Sequence, residues 1–226
     1  MTESADIQRH LEDAGLEATY LARLAAYGGM LLEANRRLNL TGAKSAEELV
    51  PHLVDSLSVV PYIHGRYIDV GSGGGFPAIP VAIATGVEVT MVESIAKKAV
   101  FLRAALDELG LPGRVIPERA EICAHDPELR GQFQAGTGRA VSSAPTVAEL
   151  LLPFLKIGGV AILQRGILED RERNALADAS PMLGGRLAGE HVLDGGRRIV
   201  ILEKTGETPG RFPRRAGVPE KRPLCL

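Results

Sequence analysis

The sequence predicts an α/β protein: a seven-stranded sheet with helices on both faces, an antiparallel last strand and a helical N-terminal extension. From residue 66 onward, short β-branched apolar runs alternate with segments of helical periodicity, which is typical of a parallel sheet covered on both sides. The first run leads into a glycine cluster at 71–75 and then Pro77, as expected where a strand turns into a helix. Near the other end, two alternating apolar runs flank Asp194-Gly195-Gly196, which predicts an antiparallel pair.

The segment before residue 45 is predicted to be helical. Apolar residues recur at helical spacing from Ile7 to Leu38, and we expect Gly15 and the pair Gly28-Gly29 to divide them into two or three helices. Ser45 and Glu48 fit a capping box, which predicts that the next helix begins at Ser45.

The remaining elements follow from the alternation of the two periodicities. The predicted strands are 66–70, 87–93, 114–117, 139–143, 159–163, 185–192 and 197–203. The predicted helices are 53–60, 78–84, 96–109, 120–124, 147–155 and 169–179. After Lys204 the chain is rich in Pro, Gly and Arg without periodicity, which predicts an irregular segment. We therefore divide the chain into a helical extension packed on the core (1–64), a core domain (65–204) and a basic tail (205–226).

Composition and charge limit the classes to which the protein can belong. With 226 residues and a formal net charge of −2, the chain suits one α/β domain with a short extra element and is not a globally basic nucleic-acid binder. Cys123 and Cys225 match no metal or redox spacing, which predicts free thiols in a reducing compartment. The start lacks signal-peptide features, and no apolar run reaches membrane-spanning length. We expect a soluble cytoplasmic monomer with no metal site and no membrane partner.

The glycine cluster indicates a nucleotide-like ligand, because glycines let the backbone adopt positive φ and let a ligand approach the main chain. A dinucleotide fingerprint needs a third small residue, but Phe76 stands there. Instead an acid, Asp69, precedes Gly71 by two residues, and Glu93 ends the second predicted strand, where an acid commonly binds ribose hydroxyls. A structural glycine turn with solvated acids is the alternative interpretation.

The acid-x-Gly-x-Gly-x-Gly pattern and the closing antiparallel pair resemble the seven-stranded S-adenosylmethionine-dependent methyltransferases. Further stretches resemble one of their families, the bacterial small-subunit ribosomal RNA guanine-N7 methyltransferases, also called glucose-inhibited division protein B. The stretches that carry this resemblance are Asn39-Leu40-Thr41, His52-Leu53-Val54-Asp55-Ser56, Ile68 to Pro77, Lys97-Lys98 with Phe101-Leu102, Arg119-Ala120-Glu121, and Phe212 to Pro219.

The resemblance implies a Rossmann-like methyltransferase fold. It also implies transfer of a methyl group from S-adenosylmethionine to N7 of one guanine in the 16S rRNA of the small ribosomal subunit, in the 530 loop of the decoding region. For Glu121, capping of a short helix is an equal alternative to a cofactor contact. The cofactor contacts predicted from the glycine turn and the resemblance are Asp69, Gly71, Ser72, Gly73, Phe76, Glu93, Ser94, Ala120, Glu121 and Ser143.

One stretch departs from the family pattern. The family usually carries Ser-Arg-Ala at the end of the fourth strand, where Ser142-Ser143-Ala144 stands here. Ser143 would then replace the arginine, although Arg139, four residues earlier, fills the position in an ungapped alignment. The family's Lys-Gly after the fifth strand is Arg165-Gly166 here, which keeps the charge.

The chemistry implied by the resemblance needs no general base, because N7 of guanine is an acceptor with a free lone pair. Catalytic residues would then act by positioning, and the candidates are Arg119, Ser143, Arg139 and Arg165. Local positive charge would hold the RNA by its phosphates. The predicted RNA contacts are Lys97, Lys98, Arg165, Arg197, Arg198, Arg211, Arg214 and Arg215. Solvated surface is the alternative interpretation of each of these cations taken singly.

Two other functions stay open at this level. One is S-adenosylmethionine-dependent methylation of a different substrate, which would have no need of the basic tail. The other is ribosome binding without catalysis, which the serine at position 143 suggests.

Overall fold

The computed structural model describes residues 2–139 and 142–226, and within them seven strands form one sheet. The strands are β1 (Tyr67–Val70), β2 (Val89–Val92), β3 (Gly113–Ile116), β4 (Phe133–Arg139), β5 (Leu155–Arg165), β6 (Gly185–Val192) and β7 (Arg198–Lys204). Their order in the sheet is β3-β2-β1-β4-β5-β7-β6. β4 is parallel to β1 and β5, whereas β7 is antiparallel to β5 and β6. The predicted fold class, a seven-stranded sheet with an antiparallel last strand, is confirmed.

Helices accompany the strands along the chain. They are α1 (Glu3–Asp13), α2 (Ala18–Leu38), α3 (Ala46–Leu57), α4 (Ala78–Thr85), α5 (Ala96–Glu108), α6 (Ala120–Cys123), α7 (Ala144–Leu151), α8 (Asp170–Met182) and α9 (Val218–Lys221). None of these described helices is long and apolar enough to cross a bilayer.

Internal contacts divide the chain into two compact units. The first unit comprises Met1–Pro61 and Ser72–Pro117, and the second comprises Tyr62–Gly71 and Glu118–Leu226. The division into an extension, a core domain and a tail stays a prediction.

In the first unit, α1, α2 and α3 pack on one another around fully buried apolar side chains such as Ile7, Leu24 and Leu49. α2 runs without a break through Gly28 and Gly29, so the predicted interruption there is wrong. A Cβ at Gly28 would lie 2.9 Å from Cδ1 of Ile7. The glycine is therefore present because α1 approaches α2 closely, and the packing of the two helices outweighs its low helix propensity.

α3 begins where the capping box predicts. The Ser45 hydroxyl accepts a hydrogen bond from the Glu48 N–H at 3.3 Å. The Glu48 carboxylate accepts one from the Lys44 N–H at 2.7 Å, one residue before the usual partner of a capping box.

In the second unit, the fourth strand corrects the sequence-based prediction. The sequence predicts it at 139–143, of which 140 and 141 lie outside the described residues, whereas β4 is Phe133–Arg139 and neither 142 nor 143 is in a strand. Gly136 and Gly138 obscured it, since glycine is depleted in strands. A Cβ at Gly138 would lie 2.6 Å from Cγ1 of Val147, and one at Gly136 would lie 2.8 Å from Cδ1 of Leu151. Both glycines are therefore explained by the close packing of α7 on β4.

The tail after Lys204 is mostly irregular, as predicted, but it is anchored to the second unit. Phe212 is buried, and the short helix α9 follows. The guanidinium of Arg130 donates hydrogen bonds to the carbonyls of Thr208 and Phe212 at 2.7 and 2.9 Å.

Candidate functional site

Within the first unit, Gly74 and Gly75 of the glycine turn pack closely against α2 and the loop that follows it. Gly74 and Gly75 are buried. A Cβ at Gly74 would lie 2.8 Å from the carbonyl oxygen of Leu40, and one at Gly75 would lie 2.9 Å from the hydroxyl of Tyr27. That hydroxyl donates a hydrogen bond to the Gly74 carbonyl at 2.6 Å. These two glycines are therefore needed for packing against α2 and the loop after it.

The same turn is fixed from its other side by Glu93. The Glu93 carboxylate accepts hydrogen bonds from the N–H groups of Gly73 and Ile95, both at 2.7 Å. Glu93 is only 5% exposed. A carboxylate offers about four lone-pair positions, so two backbone bonds leave acceptor capacity for hydroxyl donors. Ser94 is exposed beside it, and Ser72 is buried with its N–H bonded to the Val92 carbonyl at 3.3 Å.

Phe76 ends the turn and is half-buried between two other rings. The Tyr27 ring meets it edge-on with centroids 5.8 Å apart, and the His52 ring lies at 6.1 Å. The structure thus connects the His-x-x-Asp-Ser stretch of α3 to the glycine turn through aromatic contact.

Asp69, in β1 of the second unit, is fully buried. Its carboxylate accepts a hydrogen bond from the Thr137 hydroxyl at 2.5 Å, and the Tyr67 hydroxyl lies 2.6 Å from that same Thr137 oxygen. Burial, and then the charge of Asp69, raise the pKa of Tyr67 well above its usual value. The assignment of Asp69 as a cofactor contact stays a prediction.

Gly71, Ala120 and Glu121 are three further predicted cofactor contacts in the second unit. Gly71 is exposed and has a φ of 71°. Ala120 and Glu121 open α6 and are each 8% exposed. The Glu121 carboxylate accepts a hydrogen bond from the N–H of Gly217 in the tail at 2.7 Å. This bond gives Glu121 a tertiary partner that neither sequence-based interpretation anticipated.

The two candidates for the family's strand-end arginine occupy different positions. Arg139 is the last residue of β4. Ser143 is the residue before α7, and its hydroxyl bonds to that of Thr146 at 2.9 Å. The described part of β4 thus ends in an arginine, and Ser143 lies beyond it. Which of the two fills the family's arginine position stays a prediction.

Arg165, at the end of β5, is held by residues on both sides. Its guanidinium donates to the Glu172 carboxylate at 2.7 Å and to the Ser142 carbonyl. Its Nε is buried without a hydrogen-bond partner among the described residues. Arg165 and Ser143 line one cavity of about 500 Å³, together with Glu169, Arg171, Glu172 and Leu226. Arg119, the remaining positioning candidate, is exposed just before α6.

The predicted RNA contacts fall into two groups. Three of them are engaged in ion pairs within the protein: Arg165 with Glu172, Arg198 with Glu190 at 2.5 Å, and Arg214 with Glu149 at 2.6 Å. The others are exposed or half-buried: Lys97, Lys98, Arg197, Arg211 and Arg215.

Several residues that position the candidate site were missed by reasoning from the sequence. Tyr27 lies in an ordinary apolar helix pattern, and Thr137 lies in a glycine-rich stretch. Glu149 stands within an apolar helix segment, where a buried acid is rare unless it is paired. The acid at position 149 could therefore have indicated a buried ion pair from the sequence.

The described residues fit a nucleoside cofactor. Gly71 and Gly73 have φ values of 71° and 55°, which side chains rarely adopt, and both keep some exposed surface. Glu93 supplies a fixed acceptor beside Gly73. The part of the chain that the structure describes contains no group of three or more His, Cys, Asp or Glu that could hold a metal ion.

Comparison with known proteins agrees with this geometry. The chain is 40% identical to a ribosomal RNA small subunit methyltransferase G of Rubrobacter xylanophilus, with 96% of this chain and 89% of that protein covered. It is 38% identical to the protein of the same name from Deinococcus radiodurans, with 96% and 91% covered.

Among solved structures, an O-methyltransferase from Bacillus cereus in complex with SAH has a similar fold. The TM-score is 0.57 at 18% identity, with 79% of this chain and 91% of that chain covered. The sequence profile of rRNA small subunit methyltransferase G matches residues 20–200. The chain therefore belongs to the rRNA small subunit methyltransferase G family.

Proposed function

We propose that this protein transfers a methyl group from S-adenosylmethionine to N7 of one guanine in the 16S rRNA of the small ribosomal subunit, in the 530 loop. The observation that supports this proposal best is the glycine turn that Glu93 fixes through the Gly73 N–H, in a chain of this family.

The chain's own residues would hold the cofactor in distinct ways. Glu93 offers its unused lone pairs to the ribose hydroxyls, and Gly71, Ser72 and Gly73 offer main chain that a ligand can approach closely. Asp69, whose carboxylate is fully buried, orders the chain at Gly71, two residues later. We assign the remaining contacts to Phe76, Ser94, Ala120 and Glu121.

Bound S-adenosylmethionine supplies a methyl group on a positively charged sulfur. Guanine N7 has a free lone pair and no proton to lose, so no residue of this chain needs to act as a general base. The contribution of the protein is to hold N7 in line with the methyl carbon, and such positioning can lower a barrier by roughly 7–11 kcal/mol.

Two arginines are suited to position the RNA. Arg139 stands at the carboxyl end of β4, at the edge of the sheet where α/β proteins bind their ligands. Arg165 lines the cavity that also contains Ser143, with its guanidinium oriented by the Glu172 carboxylate. Arg139 at the strand end gives this chain an arginine for the family's role, which favours a catalytic member of the family.

Exposed and half-buried cations would then hold the phosphates around the target base. We propose the exposed Lys97, Arg211, Arg215 and Arg119 and the half-buried Lys98 and Arg197 for this role. A substrate in the small subunit places the activity in the cytoplasm, and we propose that the chain acts there as a monomer.

The test is transfer of labelled methyl from S-adenosylmethionine to small ribosomal subunits from cells that lack the modification, followed by mapping of the labelled base. Label at N7 of a single guanine in the 530 loop is the expected result. Label on another nucleotide would contradict the proposed target base. Absence of label from protein that binds S-adenosylmethionine in calorimetry would refute methylation of this RNA.

A further inference from the structure

The tail carries two adjacent arginines, and the structure treats them differently. We propose that Arg214 anchors the tail so that Gly217 holds Glu121 in place, whereas Arg215 contacts a phosphate of the RNA. Arg214 is thus a positioning residue for the cofactor site. Because Arg215 follows it directly, the same segment of the tail contacts both the cofactor site and the RNA. This inference rests on the proposed function, because it assigns separate parts of the tail to the cofactor and to the RNA.

The anchor consists of Arg214 and Glu149. The Glu149 side chain has no exposed surface. Nε of Arg214 donates to Oε1 at 2.9 Å and Nη2 donates to Oε2 at 2.6 Å, which is a two-pronged ion pair. The backbone N–H of Arg214 adds a further hydrogen bond to Oε1 at 2.8 Å. Because Glu149 is buried, removing its partner would leave an uncompensated charge.

The anchored segment reaches the predicted cofactor contact three residues later. The Gly217 N–H donates to Glu121 at 2.7 Å, and the Pro219 carbonyl accepts a hydrogen bond from the Thr146 hydroxyl at 2.9 Å. On the other side of the anchor, His125 Nε2 lies 2.9 Å from the Pro213 carbonyl. The orientation of Glu121 therefore depends on a tail that Arg214 fixes.

Arg215 makes none of these contacts. Its side chain is exposed, and no ion pair or hydrogen bond engages its guanidinium within the part of the chain that the structure describes. The Gly217–Glu121 hydrogen bond brings this segment beside Arg119, which is also exposed. Arg211 is exposed too, with its guanidinium 5.0 Å from the centre of the Phe212 ring. The anchored tail thus presents cations beside the residue that it orients.

The two roles separate in three variants. Arg214→Lys keeps the charge but cannot form the two-pronged bond, Arg215→Ala removes the exposed charge, and Glu149→Gln weakens the anchor from the other side. Each full-length variant is measured for its melting temperature, its affinity for S-adenosylmethionine by calorimetry, and its affinity for undermethylated small subunits at several salt concentrations.

Arg214→Lys should melt at lower temperature and bind S-adenosylmethionine several-fold more weakly, with the slope of subunit affinity against salt unchanged. Arg215→Ala should keep the melting temperature and cofactor affinity of the wild type. It should bind subunits several-fold more weakly, with a salt slope smaller by about 1. Glu149→Gln should also lower the melting temperature and the affinity for S-adenosylmethionine. If Arg214→Lys fails to fold, Glu149→Gln tests the anchor in its place.

Two results would overturn the inference while the wild type still methylates its subunit. One is an Arg214→Lys variant, with Glu149→Gln agreeing, whose melting temperature and cofactor affinity equal those of the wild type. The other is an Arg215→Ala variant whose subunit affinity and salt slope do not change. Failure of the wild type to methylate subunits would instead refute the proposed function.

Discussion

The hydroxyl of Tyr27 and the carbonyl oxygen of Gly74 lie 2.6 Å apart and share a hydrogen bond. The two residues are 47 positions apart in the sequence, and Tyr27 is fully buried. Through this bond, α2 fixes the back of the glycine turn whose other side bonds to Glu93. α2 thereby shapes the candidate cofactor site.

Replacing Tyr27 by phenylalanine tests this relationship. The change leaves a buried carbonyl without its donor, and we expect a loss of about 1–3 kcal/mol in the free energy of unfolding. We also expect weaker binding of S-adenosylmethionine, because the turn loses a fixed point. Denaturant unfolding and calorimetry measure the two effects. Tyr20→Phe is the matched control, since Tyr20 is half-buried in the same helix. Equal cofactor affinity in the two variants would contradict the assignment.

Asp69→Asn tests the proposal that Asp69 orders the chain at Gly71, two residues later. Asp69 is fully buried and accepts the Thr137 hydroxyl at 2.5 Å. An amide of the same size accepts fewer hydrogen bonds, so we expect S-adenosylmethionine affinity to fall about tenfold, which corresponds to roughly 1.4 kcal/mol. Thr137→Val, which removes one bond to the carboxylate, should have a smaller effect in the same direction. Unchanged affinity of Asp69→Asn by calorimetry would remove Asp69 from the site.

Arg139 and Ser143 make opposite predictions for methyl transfer. Arg139 stands at the end of β4, whereas the Ser143 hydroxyl bonds to Thr146 at the start of α7. We expect Arg139→Ala to lower kcat/KM on small subunits by about tenfold or more, equivalent to roughly 1.4 kcal/mol or more, and Ser143→Ala to leave it near the wild-type value. The measurement is labelled methyl transfer at subsaturating subunit concentration. A loss of transfer in Ser143→Ala but not in Arg139→Ala would support the alignment that puts Ser143 in the family's arginine position. A gain in transfer for Ser143→Arg would support the same alignment.

Lys204 gives a prediction about stability and pH. It is 2% exposed, and its ammonium donates to the Leu183 carbonyl at 3.0 Å. Burial, and then the charge of Arg130, lower its pKa from 10.5 to about 8. Between these two values the unfolded chain binds more protons than the folded protein, so the contribution of Lys204 to stability rises with pH.

Comparison with Lys204→Met isolates this effect from other titrating groups. The free energy of unfolding of the wild type minus that of the variant should increase between pH 7.5 and pH 10, by up to about 3 kcal/mol. Denaturant unfolding at a series of pH values measures the difference. A difference that stays constant or decreases with pH would contradict the lowered pKa. Thr208, whose hydroxyl bonds to the same Leu183 carbonyl at 2.6 Å, keeps that oxygen satisfied in the variant.

The sequence predicted most of the sheet because strands and helices leave local periodic patterns. The antiparallel pair around Asp194-Gly195-Gly196 is confirmed, with β6 and β7 on either side of that turn. The prediction for β4 was wrong because Gly136 and Gly138 have low strand propensity. Both positions lack room for a side chain, since α7 packs closely on this strand. Gly28 misled the prediction for the same reason, since it marks close helix packing and not a helix end.

By itself the sequence determined the fold class and the residue types at the candidate site. The acid and glycine pattern from Asp69 to Phe76 needs only neighbouring positions, and so does its resemblance to a methyltransferase family. Only the tertiary structure decided which residues orient that site, because their partners lie far away along the chain. The bond from Arg214 to Glu149 spans 65 positions and the one from Gly217 to Glu121 spans 96. No local spacing encodes such pairs, since they form only when folding brings buried polar groups together and each must find a partner.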